Sequence, residues 1–301
     1  MNGLNLLQQY IKEQELTGVI LISPINLHYF AGFTGTTGFA IITQDKAFMI
    51  TDFRYTEQAT KQCEGYTVIQ YETTVMDTLV DIFNEHHIHE GLFAIEGKQM
   101  PVDTYESLCD TLDENFDFTS VNFAKLRAVK REDELELLRI AANIGDESFA
   151  ALLPQLKVGM TENEVRIILE TEMLKRGSEE PSFATIIASG SRSSMPHGVA
   201  SDKVIEAGDF VTIDFGSVYK GYHSDMTRTI VMGPASDLQK KLYSIVLEAQ
   251  KRGVAAVRAG ITGKELDAVC RDYIKEHGYT KEFNHGTGHG LGLEIHEEPV
   301  A

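Results

Sequence analysis

Apolar residues along positions 4–14 recur at helical spacing and predict a short amphipathic helix. Residues 18–22, 38–43 and 47–51 are apolar, β-rich runs, and Thr34-Gly-Thr-Thr-Gly38 reads as a turn between two of them. Residues 75–86 are helical by spacing, and 92–95 read as another strand. Short strands alternating with helices imply an α/β layer. A charged stretch beginning at Lys125 then leads into a long helix, in which Leu135, Leu137, Leu138, Ile140, Ala141, Ile144, Phe149 and Leu152 recur at helical spacing. The domain boundary is placed at that junction, giving a first domain at 1–126 and a second at 127–301.

The second region reads as an internal duplication. Gly159-Met-Thr-Glu-Asn-Glu164 leads through a helix to Gly177, and Gly260-Ile-Thr-Gly-Lys-Glu265 leads through a helix to Gly278. Each copy opens on a Thr-x-x-Glu capping box and closes on a glycine at the helix C-terminus. An amphipathic helix precedes each copy (132–156 and 236–258), and a β-like segment follows each (182–188, then 283 onward).

Between the copies lie two β-rich runs, 210–215 and 222–231, joined by a connection containing Gly216 and Gly221. They read as a β-hairpin. With the turn centred between Tyr219 and Lys220, Asp214 faces Asp225 across the ladder. Like charges in that position are destabilising, so a cation between them is expected; a different register would leave both solvated. By the repeat, a matching hairpin should follow the second copy. The sequence stops at Ala301 before one could form, so the expectation is of a chain that is the front part of a longer protein.

The other chemical signal is Asn284-His-Gly-Thr-Gly-His-Gly-Leu-Gly-Leu-Glu-Ile-His296, with His285, His289 and His296 among glycines. Glycine lets the backbone approach a site closely, and neutral imidazole is a common metal ligand. His197 closes a turn-rich loop, 189–198, read as facing the site. No His-Glu-x-x-His or Gly-x-Ser-x-Gly is present, so neither a zincin helix nor a nucleophile elbow is indicated. Carboxylates with one imidazole form a hard, oxygen-rich donor set that favours Mn²⁺ or a related ion over a thiolate zinc site.

Composition narrows the partners. A formal net charge of −18 repels phosphate backbones, so no nucleic acid is expected. Cys63, Cys109 and Cys270 are far apart and suit a reducing cytosol. There is no signal peptide and no run of membrane-spanning length, so a cytoplasmic protein without a membrane partner is expected.

Together, Ile213-Asp-Phe-Gly216, Ser224-Asp-Met-Thr-Arg228, Met195-Pro-His-Gly198 and Gly288-His-Gly-Leu-Gly-Leu-Glu-Ile-His-Glu297 resemble the pita-bread metallopeptidases, the family of methionine aminopeptidase, aminopeptidase P and prolidase. Asn26-Leu-His-Tyr-Phe-Ala-Gly-Phe33 and Thr51-Asp-Phe-Arg-Tyr-Thr-Glu57 resemble a creatinase-type N-terminal domain, which points to the Xaa-Pro branch. The resemblance covers essentially the whole chain. It implies an α/β (α+β) protein with a creatinase-like N-terminal domain followed by a pita-bread domain lacking its last strands.

By the resemblance, Asp214 binds one divalent metal ion, Asp225 bridges two, and His289 binds the other. Mn²⁺ is the implied metal, with Co²⁺ or Zn²⁺ as alternatives. Two further glutamate ligands are expected beyond Ala301, so weak or no metal binding and poor activity are expected of the chain as it stands. His197 would stabilise the oxyanion, His296 would contact substrate around the proline, and Thr227 would orient a ligand; His285 would lie near the site without a defined task. A homodimer is implied, with Arg54 and Tyr55 as candidates on the surface that closes the partner's site. The implied reaction is hydrolysis of the bond between an N-terminal residue and proline by a metal-bridging hydroxide. The alternatives are an aminopeptidase P acting on longer peptides, a metal-free creatinase-like enzyme, and a non-catalytic relative.

Overall fold

The computed structural model describes residues 2–301. The chain folds as two compact units, Met1–Arg127 and Ala128–Ala301. In chain order the first unit contains α1 (Gly3–Glu13), β1 (Gly18–Leu21), α2 (Pro24–Ala31), β2 (Phe39–Thr43), β3 (Ala47–Thr51), α3 (Thr56–Gln62), β4 (Thr67–Gln70), α4 (Val75–Glu85), β5 (Gly91–Ile95), α5 (Val102–Thr111), β6 (Phe116–Ser120) and α6 (Ala124–Arg127). The strands form one mixed sheet in the order β4-β3-β2-β1-β5-β6. β1, β2 and β3 are buried along their whole length. Burial on both faces is why they read as continuous apolar runs rather than alternating ones. On one face Leu79, Ile82 and Phe83 of α4 join a core with Ile41, Phe48, Ile50 and Phe93. Elsewhere in the unit, α1 packs against α2 and β2 and fully buries Leu7 and Ile11.

Periodicity misses α2, α3, α5, β4 and β6. The edge strands β4 and β6 are only half-buried and carry no clean alternation. α2 is short and apolar nearly all round, so it shows no stripe. Its signals are at its ends: Ser23 caps Asn26 N, Pro24 sits in the first turn, and Gly32 closes it in the left-handed region.

Glu96, at the end of β5, is fully buried. It accepts from Ser23 N at 2.9 Å and also from Ile22 N, Ser23 Oγ and Asn26 Nδ2. Arg127 Nη1 in turn donates to Asn26 Oδ1. One carboxylate therefore fixes the start of α2.

The second unit contains α7 (Glu132–Leu152), α8 (Glu162–Lys175), β7 (Ile186–Ser189), β8 (Phe210–Phe215), β9 (Val218–Tyr219), β10 (Tyr222–His223), β11 (Met226–Val231), α9 (Asp237–Ala256), α10 (Gly263–Glu276), β12 (His289–Gly290) and β13 (Glu297–Val300). The capping boxes of both copies form: Thr161 with Glu164 on α8, and Thr262 with Glu265 on α10. Gly177 and Gly278 follow these helices at φ 98° and 90°, in the region that favours glycine. The β-like segment expected at 182–188 appears as β7. That expected from 283 onward does not form at Phe283; only β12 and β13 pair there, as a separate two-stranded sheet. Gly286, Gly288, Gly290 and Gly292 deprive this stretch of the side chains that would stabilise a longer strand.

β8 is the middle strand of the sheet β11-β8-β7. Its buried residues Val211, Ile213 and Phe215 alternate with half-buried ones and pack with Ile144 of α7 and with Val165, Leu169 and Met173 of α8. Thr212 and Asp214 consequently occupy the face away from those helices.

Glu96→Gln keeps the volume of this hub but turns one acceptor into a donor facing buried donors. It is expected to lower stability by about 2 kcal/mol, read as a shift of the urea unfolding midpoint. An unchanged midpoint would show that other groups satisfy these donors.

Candidate metal centre and active site

The turn of the hairpin decides where the aspartates stand. Lys220 and Gly221 have φ of 49° and 79°, the pattern of a tight two-residue turn with both central residues left-handed. Tyr219 therefore pairs with Tyr222, and the same register places Asp214 opposite Thr227. This corrects the expectation that Asp214 faces Asp225 directly. Asp225 sits opposite Gly216, in the break between β10 and β11, one position further along the same face and diagonal to Asp214. Gly216 is required at this spot, because a Cβ there would lie 1.8 Å from Ser224 O.

Both carboxyls are held above their ordinary range. For Asp214 the chief cause is burial; the charge of Asp225 adds to it, and the hydrogen bond from Thr227 opposes it. For Asp225 it is burial, opposed by His289 and His296. Thr227 Oγ1 donates to Asp214 Oδ1 at 2.9 Å, which fixes that carboxylate's rotation.

The glycine–histidine segment is brought to this face by three anchors. His223 N on β10 donates to Gly292 O at 2.8 Å. β12 pairs with β13, placing Gly290 beside Glu297. Glu297, 4% exposed, forms an ion pair with Lys130 at 2.7 Å. His289 then stands with Nε2 3.4 Å from Asp225 Oδ2. Its Nδ1 lies 2.9 Å from Gly290 O, so in the tautomer that donates there, Nε2 carries only a lone pair. A lone pair facing a carboxylate oxygen at that distance needs a proton or a cation between them. His296 is exposed and meets His289 edge-to-face at 4.4 Å between ring centroids.

Asp214, Asp225, His289, His296 and Thr227 are thus brought together. His197 is exposed on the loop after β7, and among the described residues its ring makes no hydrogen bond. His285 is exposed too; it packs edge-on against Phe283, and its carbonyl accepts from Arg271 Nη2 at 2.7 Å. Arg54 and Tyr55 belong to the first unit. The Arg54 guanidinium forms a two-pronged pair with Asp52, at 3.0 and 2.7 Å, and Tyr55 hydroxyl meets Thr36 Oγ1 at 2.6 Å.

Oxygen-rich carboxylate and imidazole donors fit a hard divalent cation. Among the described residues, however, no three His, Cys, Asp or Glu side chains converge tightly enough to form a complete metal-binding group. The donors present fit such an ion as part of a set. The anchoring pair of Lys130 and Glu297 escaped sequence reasoning, because 167 positions separate its members and no local pattern marks it.

Comparisons with known proteins give the same frame. Residues 136–301 match metallopeptidase family M24, and residues 4–129 match the creatinase/prolidase N-terminal domain. An Xaa-Pro dipeptidase of Pyrococcus furiosus is 38% identical over 304 residues, covering 97% of this chain and 82% of its own. The solved structure of an Xaa-Pro dipeptidase from Bacillus anthracis superposes with a TM-score of 0.93 at 45% identity, over 99% of this chain and 83% of that one. An X-Pro aminopeptidase from Thermotoga maritima superposes with a TM-score of 0.90 at 37% identity, over 95% and 82%.

The raised aspartates make a stability prediction. A carboxyl whose folded pKa exceeds its unfolded one contributes fully below the unfolded value, and that contribution is lost as pH rises through the folded value. In chelator at pH 7 both aspartates therefore weaken the fold. Asp214→Asn, which keeps the acceptor for Thr227, should melt higher than wild type there, and the gap should close as pH falls into the carboxylate range. Divalent cation at about a hundred times its dissociation constant should add about 2.7 kcal/mol to the wild type and little to the variant. Equal melting temperatures in chelator at pH 7 would refute the electrostatic account.

Proposed function

The chain belongs to metallopeptidase family M24, and from that premise we propose that it hydrolyses the peptide bond between an N-terminal residue and proline. The observation that carries this reading is the 38% identity over 97% of the chain to a protein named Xaa-Pro dipeptidase. The face carrying Asp214, Asp225 and His289 supports it chemically, since two half-buried carboxylates and a lone-pair imidazole are a setting for divalent cations.

In this proposal Asp214, Asp225 and His289 hold two divalent ions, with Mn²⁺ favoured by the donor set. Such ions supply a water acidic enough to ionise near neutrality and a Lewis acid for the scissile carbonyl. The chain's own side chains do the rest. Thr227 locks the rotation of Asp214. His296, exposed beside His289, offers its edge to the substrate around the proline ring. His197 donates a hydrogen bond to the oxygen that becomes negative as the carbonyl is attacked. His285 has no assigned step; its ring packs against Phe283.

We also propose a cytoplasmic homodimer with domains at 1–126 and 127–301, Arg54 and Tyr55 lying on the surface that closes the partner's site. No nucleic acid and no membrane take part. Among the described residues no helix is long and apolar enough to cross a membrane.

The likeness to an X-Pro aminopeptidase supports a second reading, with longer Xaa-Pro peptides as substrates. Incubation of the full-length protein with Mn²⁺ and either Ala-Pro or an Ala-Pro-extended pentapeptide separates the two, by free proline or free alanine release. Hydrolysis of neither would sink both. His197→Ala is expected to lower kcat by about a hundredfold, with KM nearly unchanged, as for loss of one oxyanion donor. A change confined to KM would assign His197 to substrate binding instead.

A further inference from the structure

Glu162 is fully buried at the first turn of α8 and cannot touch a substrate, yet it gathers both ends of the loop that carries His197. At the near end it accepts from Ser189 N at 2.8 Å and Ser189 Oγ at 2.9 Å. From the far end it accepts Ser201 N at 3.1 Å and Ser201 Oγ at 2.6 Å. Arg192, inside the loop, donates Nε to both carboxylate oxygens at 3.3 and 3.1 Å and braces the far side through Nη2 to Val199 O at 2.8 Å. Main-chain bonds from Glu162 N to Lys203 O and from Asn163 N to Ser201 O, each 3.0 Å, tie the same helix end to the loop's exit. Burial pushes the Glu162 carboxyl up, but the bonds from Ser201 and Ser189 outweigh it, so the group lies below its ordinary value and stays ionised.

Among the described residues the His197 ring makes no hydrogen bond, so what restrains it is its main chain. That main chain is a short run of turns, with Gly198 N donating to Met195 O and Val199 N to His197 O, closed at both ends on Glu162. We propose that Glu162, with Arg192, is a positioning residue for the reaction, holding the loop 190–200 closed and so restraining the main chain that carries His197. This rests on the catalytic role given to His197 above.

The test is a double-mutant cycle of Glu162→Gln and His197→Ala, read by kcat and KM for Xaa-Pro hydrolysis, Mn²⁺ titration and amide hydrogen exchange. The substituted carboxamide would present a donor to serine donors and lose the charge for Arg192. The expected result in the wild-type background is a kcat lower by about 10- to 100-fold, KM changed less than about threefold, as for a small misplacement of a catalytic group. Mn²⁺ affinity should be unchanged, and amide exchange faster across 189–201 but not in the rest of α8. In the His197→Ala background the same change should lower kcat no further.

An undiminished loss in that background would overturn the proposal, since Glu162 would then act through something other than His197. Unchanged exchange across 189–201 would overturn it as well. Wild-type kinetics in His197→Ala alone would remove the role of His197 and this inference with it, whereas no Xaa-Pro hydrolysis by the full-length wild-type protein would remove the reading beneath both. Should Glu162→Gln fail to fold, Arg192→Gln serves in the same cycle. It removes the cation and the brace to Val199 while leaving the serine bonds, and the same pattern with a smaller kcat loss is expected.

Discussion

A carboxylate taken fully out of water has to be met by donors from several sides, or its burial costs more than the fold can supply. Glu96, Glu134, Glu162 and Glu297 live under that constraint, and each becomes a knot between distant segments. Glu96 collects the start of α2. Glu134 accepts the Tyr222 hydroxyl at 3.1 Å, joining α7 to β10. Glu162 closes the loop after β7, and Glu297 pairs with Lys130. An acid-rich chain could leave all its carboxylates in solvent; instead these glutamates are used where loops and short strands need fixing. Hydrogen bonds to a charged group are roughly twice as strong as neutral ones, so a few such knots hold irregular backbone that periodic packing cannot.

Asp214 and Asp225 are the counterpart. They are half-buried on a sheet face, where Thr227, the Phe215 main chain and the histidines do not offset their desolvation. The same physics that stabilises Glu162 in its charged form therefore disfavours the charged forms here. The surrounding sheet, packed on α7 and α8, over-determines the hairpin and holds the pair in place despite the cost. Such local cost at a functional site is the usual trade between stability and activity. A cation bound between them would relieve it.

How much of this the sequence discloses depends on range. Capping boxes and terminal glycines are local codes, so both copies of the helix pair are legible, as are the core strands 18–22 and 47–51 to within a residue. The hairpin is legible, but its register is not. That register hangs on Lys220 entering the left-handed region, and Lys-Gly lacks the Asn-Gly or Asp-Gly signature of such a turn. The candidate site residues announce themselves through glycine-rich surroundings. The knots do not: the donors to Glu162 come from 27 and 39 positions away and the partner of Glu297 from 167, beyond any pattern a single sequence can show.

The glycines among the histidines belong to the same account. A Cβ at Gly292 would lie 2.6 Å from a Glu297 carboxylate oxygen, and one at Gly290 would lie 2.4 Å from Glu298 O. These positions are glycine because the backbone must close on Glu297, and not only because a substrate must approach. The closure has a chemical consequence. It brings the peptide after His289 to where the Gly290 carbonyl can take a hydrogen bond from Nδ1, and so leaves Nε2 free toward Asp225. The tautomer of a proposed metal ligand is thereby set by how tightly a buried ion pair draws a glycine-rich loop. Fold and chemistry meet at Glu297: without the close approach, β12 and β13 lose their pairing and His289 loses the bond that orients it.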